Sequence, residues 1–559
     1  MGEASRKVLV VGSGIAGLSA AICAAERGLH VVLVSPYASE RAQSVMAASG
    51  INAALDTMGE NDSIALHVRE TLAGGCFLEN PATIEALCSE APDIVRWLES
   101  IGVVFSRRSD GEIAQRDFGG QSKRRTAYAG ASTGKQIVTA LVQKCRELEI
   151  AGTVERRLGL TFHSALIEDG VCYGAVFADV ADNGIASIEA DATVFAVGGM
   201  SGLFRKATGS RLCDGYAAGQ LLSQGVEMRN LEFVQFHPTA IETPYKHMLM
   251  TEAARGEGGR LYYLSEGRRV YFMEDLYGER GNLMPRNVVA KCIATCPSQV
   301  YLDISFLGAE LIHERLQEVY DLCLDYLKLD VTEESIPVGP TVHFFMGGIR
   351  VDDDHRTNVE NLYAIGECAS KYHGANRLGG NSLLAAVYSG RVAARAISEA
   401  APSVASGRRP SFDAQISQAR VELATLEPGS LLAMSEVLQP LSRILHDSVG
   451  ILRDREHLEQ GVEALGGLDS AAVALPGANE PWCGDYRAPS LLLIARAILL
   501  SALHREESRG AHQRVDFPET NEALRLCSVA RCENGSITVS YVDEAGSAER
   551  PSAMGGELR

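Results

Sequence analysis

Residues 8–35, VLVVGSGIAGLSAAICAAERGLHVVLVS, leave the chain little choice of fold. The apolar run Val8 to Val11 meets Gly12-Ser13-Gly14-Ile15-Ala16-Gly17, an alanine-rich helical stretch follows, and His30 to Ser35 is a second apolar run. Strand, G-x-G-x-x-G, helix and strand within about 30 residues is the opening of a parallel sheet that binds a dinucleotide. Gly12 makes the turn, Gly14 admits a pyrophosphate, and Gly17 lets helix and sheet pack closely, with Ser13 and Ala16 completing the loop. An acidic residue commonly ends the second strand and binds a ribose; Ser35 stands there, so the ribose contact is weaker or made elsewhere.

Two further strands end in glycine, ATVFAVGG from Ala192 to Gly199 and NLYAIGE from Asn361 to Glu367. Ligands in such sheets lie beyond the carboxyl ends of the strands, which places Glu367 at the cofactor. Segments so far apart in one sheet imply an inserted domain between them. The expected fold is α/β: a Rossmann-like cofactor domain in two parts, residues 1–230 and 342–400, with an α+β capping domain, 231–341, inserted. A linker rich in small residues and proline, Ser398 to Ser411, leads to a helical domain, 410–515, and a short β segment closes the chain at 516–559.

The stretch KYHGANRLGGNSLLAA, Lys371 to Ala386, sets glycines and Arg377 before an apolar helical run. Glycines allow close backbone approach, a helix N-terminus offers unpaired N–H groups, and a guanidinium suits carboxylate or phosphate. It reads as an anion site, or else as a glycine-rich turn with a surface arginine.

At 559 residues the chain exceeds one core, and two to four domains are expected. A formal charge of −19 argues against nucleic acid or anionic lipid as partners. The sequence enters a strand within eight residues of Met1, without room for a leader, which favours the cytoplasm. The longest apolar run, Leu491 to Leu503, is interrupted by Arg496 and is too short to span a membrane. Thirteen cysteines without a repeated C-x-x-C give no zinc or iron–sulfur pattern, and no metal is expected.

Four polar clusters interrupt apolar surroundings: FVQFHPTAIE with His237, MTEAARGEGG with Thr251, Glu252 and Arg255, LMPRNVVAK with Arg286, and PTVHFFMGGIR with His343. Singly, each histidine reads as a hydrogen-bonded structural residue, Arg286 as a salt bridge across a domain junction, and Glu252 as the helical partner of Arg255. Together with Arg377 they form a donor set suited to a doubly negative substrate.

These clusters, with YAIGECA, HGANRLGGNSL, ESRGAHQRVDF, FGGQSK and TGSRLCDGYAAG, resemble the flavoprotein subunit of the succinate dehydrogenase and fumarate reductase family, in the family's order from about residue 7 to 518. The resemblance implies FAD rather than NAD, and a C4 dicarboxylate held beneath a mobile cap. His343 and Arg377 would grip one carboxylate; His237, Thr251 and the Phe118–Gly119 turn would hold the other, with Gly50 nearby. Arg286 matches the family's proton donor, and Glu252 with Arg255 the relay that refills it. The resemblance also assigns Ser44, Ala48, Ser49, Gly50, Ala196, Gly198, Asp214, Asn381, Ser382 and Leu383 to the cofactor, and a separate iron–sulfur subunit, with a membrane-anchor or thiol-linked subunit, as partners. Arginine is a reluctant acid, but a cationic neighbour and a water-poor pocket ease its proton off. Without the resemblance, His343 would be the acid. Arg509 and His512 read as a structural tie.

Respiratory members carry a histidine bonded covalently to the flavin in a stretch resembling S-H-T-V-A-A-x-G-G, and here Gln43 takes its place. An amide cannot make that bond, so FAD is expected to be noncovalent, its potential lower, and the chemistry tilted toward fumarate reduction. RRTAYAGASTG and VYLDIS lean toward L-aspartate oxidase; FGGQSK, PTVHFFMGGI with Met346, and LGGNSL lean toward the reductase branch. A flavin-binding scaffold without catalysis is the third reading, against which stands the presence of both Arg286 and His343.

Overall fold

The computed structural model describes residues 6–130, 132–243, 247–400, 410–424, 426, 431, 435, 437–472, 485–543 and 549–551. At its centre Lys7–Val11 lies between His30–Ser35 and Ala192–Phe195, all parallel, with Val154–Leu158 at one edge and Leu362–Ala364 at the other. Such strands are covered on both faces, and so read as continuous apolar runs rather than alternating ones. The glycine turn is dictated by contact. Gly12 sits at φ +108°, and a Cβ on it would lie 2.3 Å from the Ala196 carbonyl oxygen. A Cβ on Gly17 would come within 1.9 Å of the Gly12 carbonyl oxygen, so the helix Ile15–Glu26 can rest on the turn only with glycine there.

A three-stranded meander, Leu160–Glu168, Val171–Asp179 and Ile185–Glu189, follows the parallel sheet and was not anticipated from the pattern.

The capping region is built on a six-stranded antiparallel sheet whose strands fall between Val234 and Phe345. Its own core includes Leu261, Val289, Leu302 and Val338. The strands that enter and leave it, Val234–Glu242 and Ile336–Phe345, pair with each other, His237 opposite Thr341. Both crossings therefore run side by side, and they bring His237 and His343 to one place.

Helices Asp413–Ala424, Leu438–Ser448, Arg455–Ala472 and Ala488–His504 follow, the last burying the apolar run 491–503. Most of the expected linker, residues 401–409, lies outside the described residues. Among the described residues no helix is long and apolar enough to cross a membrane. The C-terminal β segment does not stand apart. Cys527–Glu533 pairs antiparallel with Met228–Arg229, in a six-stranded sheet that also contains Gly348–Arg350 and Ala369–Ser370 of the cofactor domain. ESRGAH ties the regions together: Arg505 meets Glu232 at 2.6 Å, Arg509 meets Glu507 at 2.8 Å, and Arg453 donates to His512 Nδ1 at 2.8 Å.

Candidate active site

A cavity of about 650 Å³ runs from the Gly12 turn to Arg286, between the parallel sheet and the cap. Gly12, Ser13, Gly14, Ala16, Ser35, Ser44, Ala48, Ser49, Gly50, Ala196, Gly198, Asp214, Glu367, Ser382 and Leu383 all line it. Gly14 caps the helix Ile15–Glu26 without any side-chain bond to its N–H groups, and a Cβ there would sit 3.2 Å from Ser44 Oγ. Open backbone donors in a space that a side chain would fill suit a pyrophosphate. Ser13 Oγ donates to Ser35 Oγ at 2.9 Å, and Ser35 donates to the Tyr37 carbonyl at 2.6 Å, so the second strand ends in wired hydroxyls rather than a carboxylate. Glu367 accepts the Phe345 N–H at 3.1 Å, and burial pushes its carboxyl up to about 7. Burial also raises Asp214, which accepts the Tyr216 N–H at 3.0 Å. Length, shape and donor set fit FAD.

Two cofactor assignments are corrected. Gly17 faces the sheet, as its contact with Gly12 requires, and does not line the cavity. Asn381 does not line it either. Its amide donates to Thr71 Oγ1 at 3.0 Å, while its oxygen accepts from Asn52 at 2.7 Å and lies 3.0 Å from His67 Nε2. A side chain in the first helical turn leans back toward the N-terminus, here into a buried network under the Gly379–Gly380 turn.

At the cap end of the cavity stand Thr251, Arg286, His343 and Arg377. Arg286 opens the helix Arg286–Ala294 directly after Pro285, which fixes its backbone. Its Nε and Nη2 donate to Glu252 Oε2 at 2.9 and 2.6 Å, and the other oxygen, Oε1, accepts from Arg255 Nη2 at 3.0 Å. Glu252 and Arg255 are buried behind Arg286. The salt-bridge reading of Arg286 and the helical-pair reading of Glu252 thus describe the same carboxylate, shared by two guanidiniums. Burial pushes the Glu252 carboxyl up, but Arg286 and Arg255 together hold it below its ordinary value. Burial lowers Arg255, with Glu252 opposing and Arg286 adding to the effect. Burial, reinforced by Arg286, draws Arg377 well below the ordinary arginine value.

His237 and His343 meet edge to face at 5.1 Å. Burial and then Arg286 hold both well below 6.5, so both are neutral at pH 7 and the positive charge of the site belongs to its arginines. His237 stands behind the cavity wall rather than on it; its Nδ1 faces the Thr239 carbonyl at 2.9 Å, and its buried Nε2 has no partner. The Phe118–Gly119 turn is likewise set back. A Cβ on Gly119 would lie 2.5 Å from Glu252 Oε1, so the turn walls in the shared carboxylate.

Two residues were missed. Gln235 Oε1 accepts from Arg286 Nη1 at 3.2 Å and Arg377 Nη2 at 3.1 Å, and its amide donates to the Arg377 carbonyl at 2.8 Å. It lies two positions before His237 on a strand, a spacing that shares a face and could have revealed it. Thr208 Oγ1 lies 2.8 Å from His343 Nδ1, a pairing across distant segments that no local pattern announces.

A family model described as FAD binding domain matches residues 7–383, and one described as fumarate reductase flavoprotein C-term matches residues 439–551. A succinate dehydrogenase flavoprotein subunit of Bacillus subtilis is 36% identical over 540 residues, 92% of each chain. A fumarate reductase (CoM/CoB) polypeptide of Methanothermobacter marburgensis is 36% identical over 531 residues, 92% of this chain and 94% of its own. Among solved structures, a quinol fumarate reductase FrdA of E. coli superposes with a TM-score of 0.83 at 29% identity, over 100% of both chains.

Proposed function

Because this chain belongs to the flavoprotein-subunit family of succinate dehydrogenases and fumarate reductases, FAD-dependent oxidoreductases of a CH–CH bond, we propose that it runs chiefly as a fumarate reductase with Arg286 as proton donor. FAD, when bound, supplies the hydride in the reducing direction. The dicarboxylate would enter the cap end of the cavity, one carboxylate against Arg377 and His343 and the other near Thr251. Guanidiniums beside the carboxylate toward which negative charge develops stabilise the transition state. Neutral His343 orients by hydrogen bonding, with Thr208 fixing its ring.

Hydride on one alkene carbon and a proton on the other convert fumarate to succinate. Arg286 delivers that proton, Glu252 returns one to it from Oε2, and Arg255 restores the proton of Glu252 through Oε1. Supporting this reading is one observation above the rest: a fully buried carboxylate hydrogen-bonded on each oxygen to a different arginine, one of which lines the cavity.

Gln43 lines the cavity where a flavin-linking histidine would stand, so FAD is held noncovalently and is a stronger reductant than a linked flavin. Electrons would come from a separate iron–sulfur subunit. The decisive experiment reduces the purified flavoprotein anaerobically and adds fumarate, while oxidised protein receives L-aspartate. Rapid reoxidation by fumarate without bleaching by aspartate is expected; bleaching, with iminoaspartate and peroxide formed in air, would assign L-aspartate oxidase instead. Acid precipitation should leave the yellow colour in the supernatant, and a yellow pellet would contradict noncovalent binding.

A further inference from the structure

A second, smaller cavity of about 240 Å³ opens where the loop after Ser201–Leu203 meets the helix Leu438–Ser448. Arg205, Arg211 and Arg443 line it, with Gln439 and Ser442 on the helical side. Arg205 and Arg443 enter no ion pair among the described residues, and both are exposed. Lys206 adds a further positive charge beside them. Burial holds His446 below its ordinary value, with Lys206 and Arg205 pressing the same way against Asp447, and His247 is lowered likewise by burial and by Lys206 against Glu242. Positive charge concentrated in a concavity is unusual on a chain of net charge −19.

The position gives this pocket a use. Arg211 and Leu438 line both the small cavity and the large one, so the two share a wall. From Lys206 the chain runs beside the strand Ile336–Phe345, Val342 donating to the Lys206 carbonyl at 3.2 Å and Thr208 to the Val342 carbonyl at 2.9 Å, and so reaches His343 within two residues. A dianion approaching this protein is repelled at long range by the net charge; only a local cationic funnel offsets that.

We propose that Arg205, Arg211 and Arg443 form a docking site for a small dicarboxylate at the mouth of the large cavity, outside the redox centre. The inference rests on the dicarboxylate reading of the main site. Doubly charged oxyanions in general share the required chemistry, so free phosphate is the competing occupant.

The holoprotein is assayed for fumarate reduction with reduced benzyl viologen at ionic strengths of about 20 and 300 mM, where the screening length differs several-fold. Arg205→Gln/Arg443→Gln should lower kcat/KM roughly tenfold at low salt with kcat unchanged, the deficit shrinking at high salt, while Arg205→Lys/Arg443→Lys behaves like the parent. An unchanged kcat/KM at low salt, or an equal fall in kcat, overturns the proposal. Calorimetric titration of the same holoproteins with succinate should find two sites in the parent and one in the Gln pair. Saturable binding of inorganic phosphate without a second succinate site assigns the pocket to phosphate and also overturns it. If the parent does not turn fumarate over, the main reading fails, and the succinate stoichiometry still decides the pocket.

Discussion

At the scale of single residues, Glu252 governs the site, because its one negative charge compensates two buried guanidiniums. Glu252→Gln keeps the shape and removes the charge. It is expected to cost about 3–5 kcal/mol of stability, the range for breaking a buried ion pair, measured by denaturant unfolding. Turnover should fall as well, since a neutral amide cannot relay a proton. Arg286→Gln should reduce fumarate turnover by about 10²–10⁴-fold, the range for removing a general acid, with flavin still bound. Parent-like turnover in that variant would move the proton donor elsewhere. The histidines predict the opposite kind of result. Because both are held neutral, succinate affinity should show no titration near pH 6.5, and a binding step there would contradict the assignment.

Among elements, the helix Asn381–Glu399 and the turn before it hold cofactor and substrate residues in register. Gly380 sits at φ +83°, and a Cβ on it would lie 2.1 Å from Asn52 Oδ1. Asn52 itself donates to the Gly379 carbonyl at 2.7 Å, and Gln121 donates to the same oxygen at 2.8 Å. Gly380→Ala should therefore displace the turn and weaken FAD retention, read as the ratio of flavin to protein absorbance after gel filtration; an unchanged ratio would show that the turn tolerates a side chain. The glycine turns were legible in the sequence because strand, glycine and helix are local patterns with steric causes. The direction of Asn381 was not, since three distant segments, contributing Asn52, His67 and Thr71, decide it. Gln235 was overlooked for a different reason: an amide among histidines and arginines carries no charge to mark it. The strand Cys527–Glu533 escaped notice because its pairing partner, Met228–Arg229, is only two residues long.

Over the whole molecule, buried histidines set the response to acid. Burial lowers His67 and His373 to about 3 and His355 to about 4, and His237, His343 and His512 fall well below 6.5. The unfolded chain binds protons at these positions before the folded one does. Their contribution is intact above pH 6.5 and is lost as pH falls, by about 1.4 kcal/mol per pH unit for each histidine. Glu367, raised to about 7, works in the other direction between pH 7 and 4.5, as does half-buried Glu318 more weakly. Six groups outweigh two, and a total stability of about 5–15 kcal/mol leaves little reserve. The urea midpoint of the holoprotein should drop steeply between pH 6.5 and 5, and a flat profile would contradict the buried, neutral histidines. The late strand Cys527–Glu533 carries a consequence of another kind. Since it completes a sheet begun at Met228–Arg229, a nascent polypeptide cannot finish its first domain until almost the entire message has been translated. Chains released early, short of that strand, would emerge with an unsealed edge open to self-association, so synthesis itself discards incomplete copies before they can capture flavin.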